Sequence, residues 1–225
     1  SPYRILRSSK NRFGSATEIA VYDMTEYGLE EVQDPSQAML SQIHNQSVGT
    51  ALTVIMEGTT PLLIEVQALT SPSYSPIPRR VANGVDHNRL LMLAAVSSKR
   101  AGLALQNQDV IVNITGGFKI SEPAADIAIV MAIASSLYNQ PLGADVAFVG
   151  EVGLSGELRQ IHQVDRRISE VARLGLSKCI LPELLSEKEK TKLNSNLLYC
   201  RTVNQVIDKT CLLYTSDAAD DTPCV

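Results

Sequence analysis

Between residues 48 and 210 short strand-type runs alternate with longer helix-type segments, and this alternation limits the chain to an α/β architecture. The strand segments are Thr50–Met56, Leu62–Ala68, Asp109–Ile114, Val146–Gly150, Lys178–Leu181 and Leu197–Cys200. The helix segments are Asn88–Ala101, Pro123–Tyr138, Val164–Leu174, Glu187–Leu193 and Val203–Lys209. Ser186-x-x-Glu189 and Thr202-x-x-Gln205 both fit the capping box, in which side chain and backbone donors satisfy each other at a helix start. Pro123 suits a first helical turn, where its missing N–H would be unpaired anyway. One α/β domain over 48–210 is predicted.

Of the 225 residues, 44% are apolar and 20% charged, the profile of a globular protein. No apolar run approaches the roughly 18 residues of a spanning helix, so no membrane partner is expected. Ser1-Pro2-Tyr3-Arg4 leads into polar sequence, without a secretory signal. The net charge of −4 excludes a globally basic nucleic-acid binder but leaves room for a local basic face. Cys179, Cys200, Cys211 and Cys224 show no C-x-x-C spacing. Reduced thiols in a cytoplasmic protein, and no metal site, are expected.

Both ends stand apart from this pattern. Residues 1–47 carry Arg4, Arg7, Lys10 and Arg12 before one strand-type run, Ile19–Tyr22, and read as the end of a domain whose larger part lies elsewhere. From Cys211 the sequence loses amphipathic period, and 211–225 reads as a non-native tail of adaptor or vector origin, or as disordered sequence.

Little in the chain resembles catalytic machinery. Gly116-Gly117-Phe118-Lys119-Ile120 lacks the P-loop spacing that wraps amides round phosphates, and reads as a turn after a strand. His44, His87 and His162 have neither metal-ligand nor triad spacing. Glu151 and Glu157 flank a turn that reads as a solvated hairpin. The cations are more informative. From Arg79 to Lys119, Arg79, Arg80, Arg89, Lys99, Arg100 and Lys119 face only Asp86 and Asp109. That local excess of positive charge in an acidic chain makes Arg79, Arg80, Arg89, Lys99 and Arg100 candidates for DNA contact. For Lys99 and Arg100, complementing the negative end of a helix is the competing role.

Two stretches together resemble a known family. Lys10-Asn11-Arg12-Phe13-Gly14 is similar to the KNRFG signature of the bacterial RadA (Sms) family of DNA repair proteins. Pro78-Arg79-Arg80-x-x-x-Gly84-x-Asp86-x-Asn88-Arg89-Leu90 resembles the start of that family's Lon-protease-like domain, and the similarity runs to about residue 209. The resemblance implies an α/β (α+β) fold of the ribosomal S5 domain 2-like type over 48–210, preceded in 1–47 by the end of a RecA-like ATPase core. It implies that Lys10 and Arg12 place positive charge near a transferring phosphoryl group or a DNA phosphate. It implies recombinational repair by branch migration, a hexameric ring, single-stranded and branched DNA as ligand, and the recombinase RecA as partner. No cofactor is expected in this stretch; ATP, Mg and Zn are implied for the full-length family.

A likeness to Lon raises a peptidase as the rival. Active Lon-type peptidases hold a serine nucleophile in a D-G-P-S-A-G segment and a lysine base further on; the matching positions here are Ala124, in Ser121-Glu122-Pro123-Ala124-Ala125-Asp126, and Asp165. A methyl group cannot attack a carbonyl and a carboxylate cannot replace the lysine, so no catalytic residue is expected. Ser121 with Lys119 offers no second base. The other rival is a module that only assembles the ring.

Overall fold

The computed structural model describes residues 3–7, 19–42, 47–183 and 197–215. A seven-stranded mixed sheet organises it. In spatial order it runs β12 (Leu197–Cys200), β11 (Lys178–Pro182), β8 (Val146–Phe148), β4 (Thr50–Glu57), β5 (Thr60–Pro72), β7 (Gln108–Ile114) and β6 (Arg80–Asn83). β4 and β5 form a long antiparallel hairpin in the middle, from Thr50↔Gln67 to Glu57↔Thr60. β8, β11 and β12 extend it in parallel on one side, and β7 pairs antiparallel with β5 on the other. β6 then adds in parallel through the crossover helix α2 (His87–Arg100).

The two faces of the hairpin are buried in different ways. Ala51 and Ile55 of β4, with Leu62, Ile64 and Val66 of β5, face the main core. That core is filled by α3 (Asp126–Tyr138), whose residues from Asp126 to Ser135 are all buried, the pattern of a helix enclosed on every side. α3 ends on Asn139, which adopts the left-handed conformation at φ 54 and returns its N–H to Ser136 O. On the opposite face Leu52, Val54 and Leu63 pack beneath α4 (Val164–Arg173) through Ile168 and Val171. α4 covers only part of this face, so Leu69, Ile111 and Val81 form an exposed cross-strand row over β5, β7 and β6.

Several expectations are corrected. The segment before residue 48 carries a three-stranded antiparallel sheet, β1 (Arg4–Arg7), β2 (Ile19–Thr25) and β3 (Gly28–Glu31), and α1 (Pro35–Gln42) rather than one orphan strand. α1 covers β5 beyond the end of β7, where Ser36 Oγ accepts the Leu63 N–H at 3.0 Å. Arg80–Asn83, absent from the expected strands, is the edge strand β6; four residues flanked by proline and glycine were too few to show a strand period. The expected helix from Pro123 opens as a 3-10 turn, Pro123–Ala125, before α3 begins. The final helix α5 (Val203–Thr215) runs five residues into the segment set aside from Cys211, since no Pro or Gly interrupts it there. Glu187–Leu193 and the Ser186 box lie outside the described residues. At α5, Thr202 Oγ1 accepts the Gln205 N–H, and Gln205 Oε1 accepts from Arg201 N, one residue before the position a strict box would use.

Gly84 shows how tightly the end of β6 is held. Its φ is +81°, and a Cβ there would lie 2.6 Å from Phe118 O and 2.7 Å from Ile114 Cβ. Gly84→Ala therefore combines a left-handed backbone penalty with overpacking, about 3 kcal/mol together, and should lower Tm by roughly 5–10 °C. Differential scanning calorimetry checks this.

Candidate functional site

The positions that would carry a peptidase dyad lie on two elements that meet beside β4. Ala124 sits in the 3-10 turn before α3, 3% exposed, in the apolar cluster beneath α4. Asp165 is in the first turn of α4 and points to solvent, with its carbonyl accepting from Ser169 Oγ. Two residues from each is a member of an ion pair that the sequence reading missed, its arginine buried and its glutamate partly exposed. Arg167 Nη1 and Nη2 donate to Glu122 Oε1 and Oε2 at 2.8 and 2.6 Å. Arg167 also donates to Val54 O at 2.5 Å and to His162 O at 3.2 Å, while Glu122 Oε1 accepts from Met56 N at 2.7 Å. Arg167 is 1% exposed, yet its guanidinium is satisfied on every side. The signal for it was present: Val164, Arg167, Ile168 and Val171 follow the i, i+3, i+4, i+7 pattern of a buried stripe.

A second pair closes the neighbouring cleft of about 290 Å³, which runs between Asp86, Arg89, Ser121, Glu122 and Asp126. Arg89 grips the Asp126 carboxylate with Nε and Nη2, the former at 2.9 Å, and Asp126 Oδ2 also accepts from Val152 N at 3.1 Å. Burial pushes the Asp126 carboxyl up, against the opposing pull of the Arg89 fork and the Val152 N–H. Asp86 is committed as well, capping α2 through the Arg89 N–H at 2.9 Å. Among the described residues no hydrogen bond joins Ser121 Oγ to Lys119 or to another base. The cleft thus holds carboxylates already in use and no activated nucleophile.

The five DNA candidates separate into two groups. Arg80 and Arg89 are turned inward. Arg80 donates to Gln108 O and, at 2.8 Å, to Leu105 O, stitching the start of β6 to the loop before β7. Arg89 is spent on Asp126 and lies 3.9 Å from Glu151. Arg79, Lys99 and Arg100 are exposed, and Lys99 and Arg100 make no ion pair among the described residues. They share one end of the domain, because the parallel β6–α2–β7 crossover brings the C-terminus of α2 back to the start of β6. The β9 (Glu151–Val152) and β10 (Leu158–Arg159) hairpin packs against this end, with Gly156 close to Arg100 Cβ.

The remaining sequence candidates are less productive. Lys10, Asn11, Arg12, Phe13 and Gly14, and His44, lie outside the described residues. His87 and His162 are exposed. Among the described residues no group of three or more His, Cys, Asp or Glu is arranged to hold a metal ion, and no helix is long and apolar enough to cross a membrane. Cys179 and Cys200 are buried thiols, and burial pushes Cys179 up to about 12, so it stays protonated.

Residues 93–211, more than half of the chain, match the Lon protease (S16) C-terminal proteolytic domain, and the chain belongs to that family. Its relatives carry a more particular name. It is 48% identical over 180 residues to DNA repair protein RadA of Bacillus subtilis strain 168, covering 80% of this chain and 39% of that protein. It is 44% identical over 213 residues to DNA repair protein RadA of Haemophilus influenzae Rd, covering 95% and 46% respectively. For DNA repair protein RadA of Streptococcus pneumoniae R6 the identity is 46% over 181 residues, covering 80% and 43%. The chain thus spans less than half the length of these relatives, and the likeness drawn from its KNRFG and Pro78–Leu90 segments extends through most of its sequence.

Two outcomes follow from this geometry. Arg167→Met leaves Glu122 without its partner and should cost about 3–5 kcal/mol in urea unfolding. Installing Ala124→Ser with Asp165→Lys should give no labelling by a serine-directed fluorophosphonate, because position 124 is buried in the apolar cluster beneath α4 while position 165 faces solvent. The hairpin supplies a third. Ser155 Oγ and N–H and Arg159 hold Glu157 down to about 2. Because the folded value is depressed, the contribution of these bonds is complete above the unfolded value near 4.5 and is lost as pH falls toward 2. A carbon-13 NMR titration of the Glu157 carboxyl should show a midpoint near 2.

Proposed function

We propose that this chain is the Lon-like part of a DNA repair protein, silent as a peptidase, which binds the DNA sugar-phosphate backbone and joins copies of itself into a ring. The observation that carries the reading is the gathering of Arg79, Lys99 and Arg100 at one end of the domain while the carboxylates of the old catalytic region are locked in internal pairs. Exposed cations on a rigid crossover suit phosphate contact, which positions a protein on nucleic acid without reading sequence. Names of the relatives favour repair.

The wider activity belongs to the same proposal. Branch migration of recombination intermediates, single-stranded and branched DNA as ligands, a hexameric ring and a cytoplasmic site of action fit this reading. So does cooperation with the recombinase RecA. ATP, Mg and Zn would serve the part of the relatives that this chain does not span, with Lys10 and Arg12 contributing charge near a phosphoryl group or a DNA phosphate. A second reading, an assembly module without DNA contact, is favoured by the uncovered apolar row of Leu69, Ile111 and Val81. Light scattering bears on it, since a strict monomer at tens of micromolar argues against a strong self-contact.

Fluorescence anisotropy of a labelled oligonucleotide at several salt concentrations tests the main reading. Changing Arg79, Lys99 and Arg100 together to alanine should weaken binding and flatten the log–log salt slope by about 2–3, near one per lost phosphate contact. An unchanged slope would remove these three residues from the site.

A further inference from the structure

The loop between β5 and β6, Ser73-Tyr74-Ser75-Pro76-Ile77-Pro78, holds the most exposed aromatic ring among the described residues. Tyr74 is 100% exposed and Ile77 80%. A loose loop could carry such a ring by accident, but this one is pinned. Ser73 N donates to Asn107 O at 2.8 Å, and Arg79 N to Asp109 Oδ1 at 2.7 Å, so both ends are tied to the start of β7. Ser75 N and Ile77 N bond to the hydroxyls two residues before them, and Pro72, Pro76 and Pro78 restrict the backbone further. The ring is therefore displayed from a restrained backbone, which lowers the entropy that a bound ligand must overcome.

Its surroundings select the ligand. Asn107 follows Gln106, whose side-chain amide donates to Ser98 Oγ at 3.0 Å, and Ser98 precedes Lys99 and Arg100. Arg79 closes the loop on its other side. Asp109 bonds to the loop base; the Arg79 N–H, the Ser73 hydroxyl and the charges of Arg79 and Arg80 hold its carboxyl below the usual range. An exposed aromatic ring on a loop tied to the end of the domain that carries three exposed cations fits a polyanion that also carries flat unpaired rings. A duplex offers the phosphates but keeps its base faces stacked inside.

We infer that Tyr74 is a stacking platform for an unpaired base of single-stranded nucleic acid, with Arg79, Lys99 and Arg100 holding the adjacent phosphates. The inference rests on the proposal that this end of the domain meets DNA, and it adds the side chain that would contact an unpaired base.

The test compares the 225-residue chain with Tyr74→Ala and Tyr74→Phe, using a fluorescein-labelled mixed-sequence single strand, the same strand with abasic sites throughout, and the matching duplex. Tyr74→Ala should weaken binding to the single strand by roughly 5- to 100-fold, the range for one base–aromatic stack, and leave the duplex unchanged within about twofold. Tyr74→Phe should retain single-strand binding, and the abasic strand should bind the unchanged chain as weakly as the normal strand binds Tyr74→Ala. Equal binding of both strands by Tyr74→Ala and the unchanged chain would overturn the inference while leaving the DNA reading intact. An equal loss on strand and duplex would likewise overturn it, marking Tyr74 as a general contact. Absence of binding by the unchanged chain at low salt would overturn the DNA reading itself, and the inference with it. Because Tyr74 is fully exposed, thermal melting of the alanine variant should match that of the unchanged chain, which separates lost stacking from lost folding.

Discussion

The guanidinium of Arg167 ties together the two sides of the molecule. It lies beneath α4, with its nitrogens committed to Glu122, Val54 O and His162 O. An uncompensated charge at that depth would be too costly to retain, so α4, the central strand β4 and the turn before α3 must meet in one arrangement. Glu122 in turn receives the Met56 N–H, and the position of that turn sets the start of α3, around which the main core is built. Arg173 repeats the device at the other end of α4, where it bridges Glu170 and Asp34 and fastens α1 to the domain. That outer pair is more exposed and contributes less.

The carboxylates of the cleft beside α3 are held by arginines, Glu122 by Arg167 and Asp126 by Arg89, and these pairs join the start of α3 to α4 and to α2. The surface proposed for nucleic-acid contact lies at the end of the domain where β6, α2 and the loop before β7 meet. Arg80 contributes from inside by bonding the backbone that carries its exposed neighbours. The proposed contact would act through charge and a ring face, and the crossover and the prolines give its backbone rigidity.

Much of the sheet was legible because its strands are apolar runs bounded by turns, and the helices because their stripes repeat at 3.6 residues. Thr50–Glu57, Leu197–Cys200 and α2 fall within a residue or so of the expected limits. β6 was not legible, since a four-residue edge strand gains its identity from pairing with β7 and not from its own composition. Before residue 48 the run Ile19–Tyr22 showed as a strand and is part of β2, but β1 and β3 escaped for the same reason: each is four residues long, and β3 is exposed along its whole length. Among the candidate site residues, the sequence placed five cations in one region but could not say which pointed outward. Local spacing put Arg79 and Arg80 side by side, and only β7 decided that one faces solvent and the other the loop carbonyls.

The sequence by itself determined that the fold is α/β and that positive charge concentrates between Arg79 and Lys119, because composition, period and chemical identity are local properties. Tertiary structure alone decided the partners. Residues 45 positions apart, Glu122 and Arg167, became one ion pair, and Arg89 was withdrawn from the surface by Asp126. The loop that carries Tyr74 was tied by Ser73 to Asn107, next to the Gln106 whose side chain bonds Ser98 of α2. Which charges are neutralised and which remain free depends on contacts between distant segments, and those exist only once the sheet has brought the segments together.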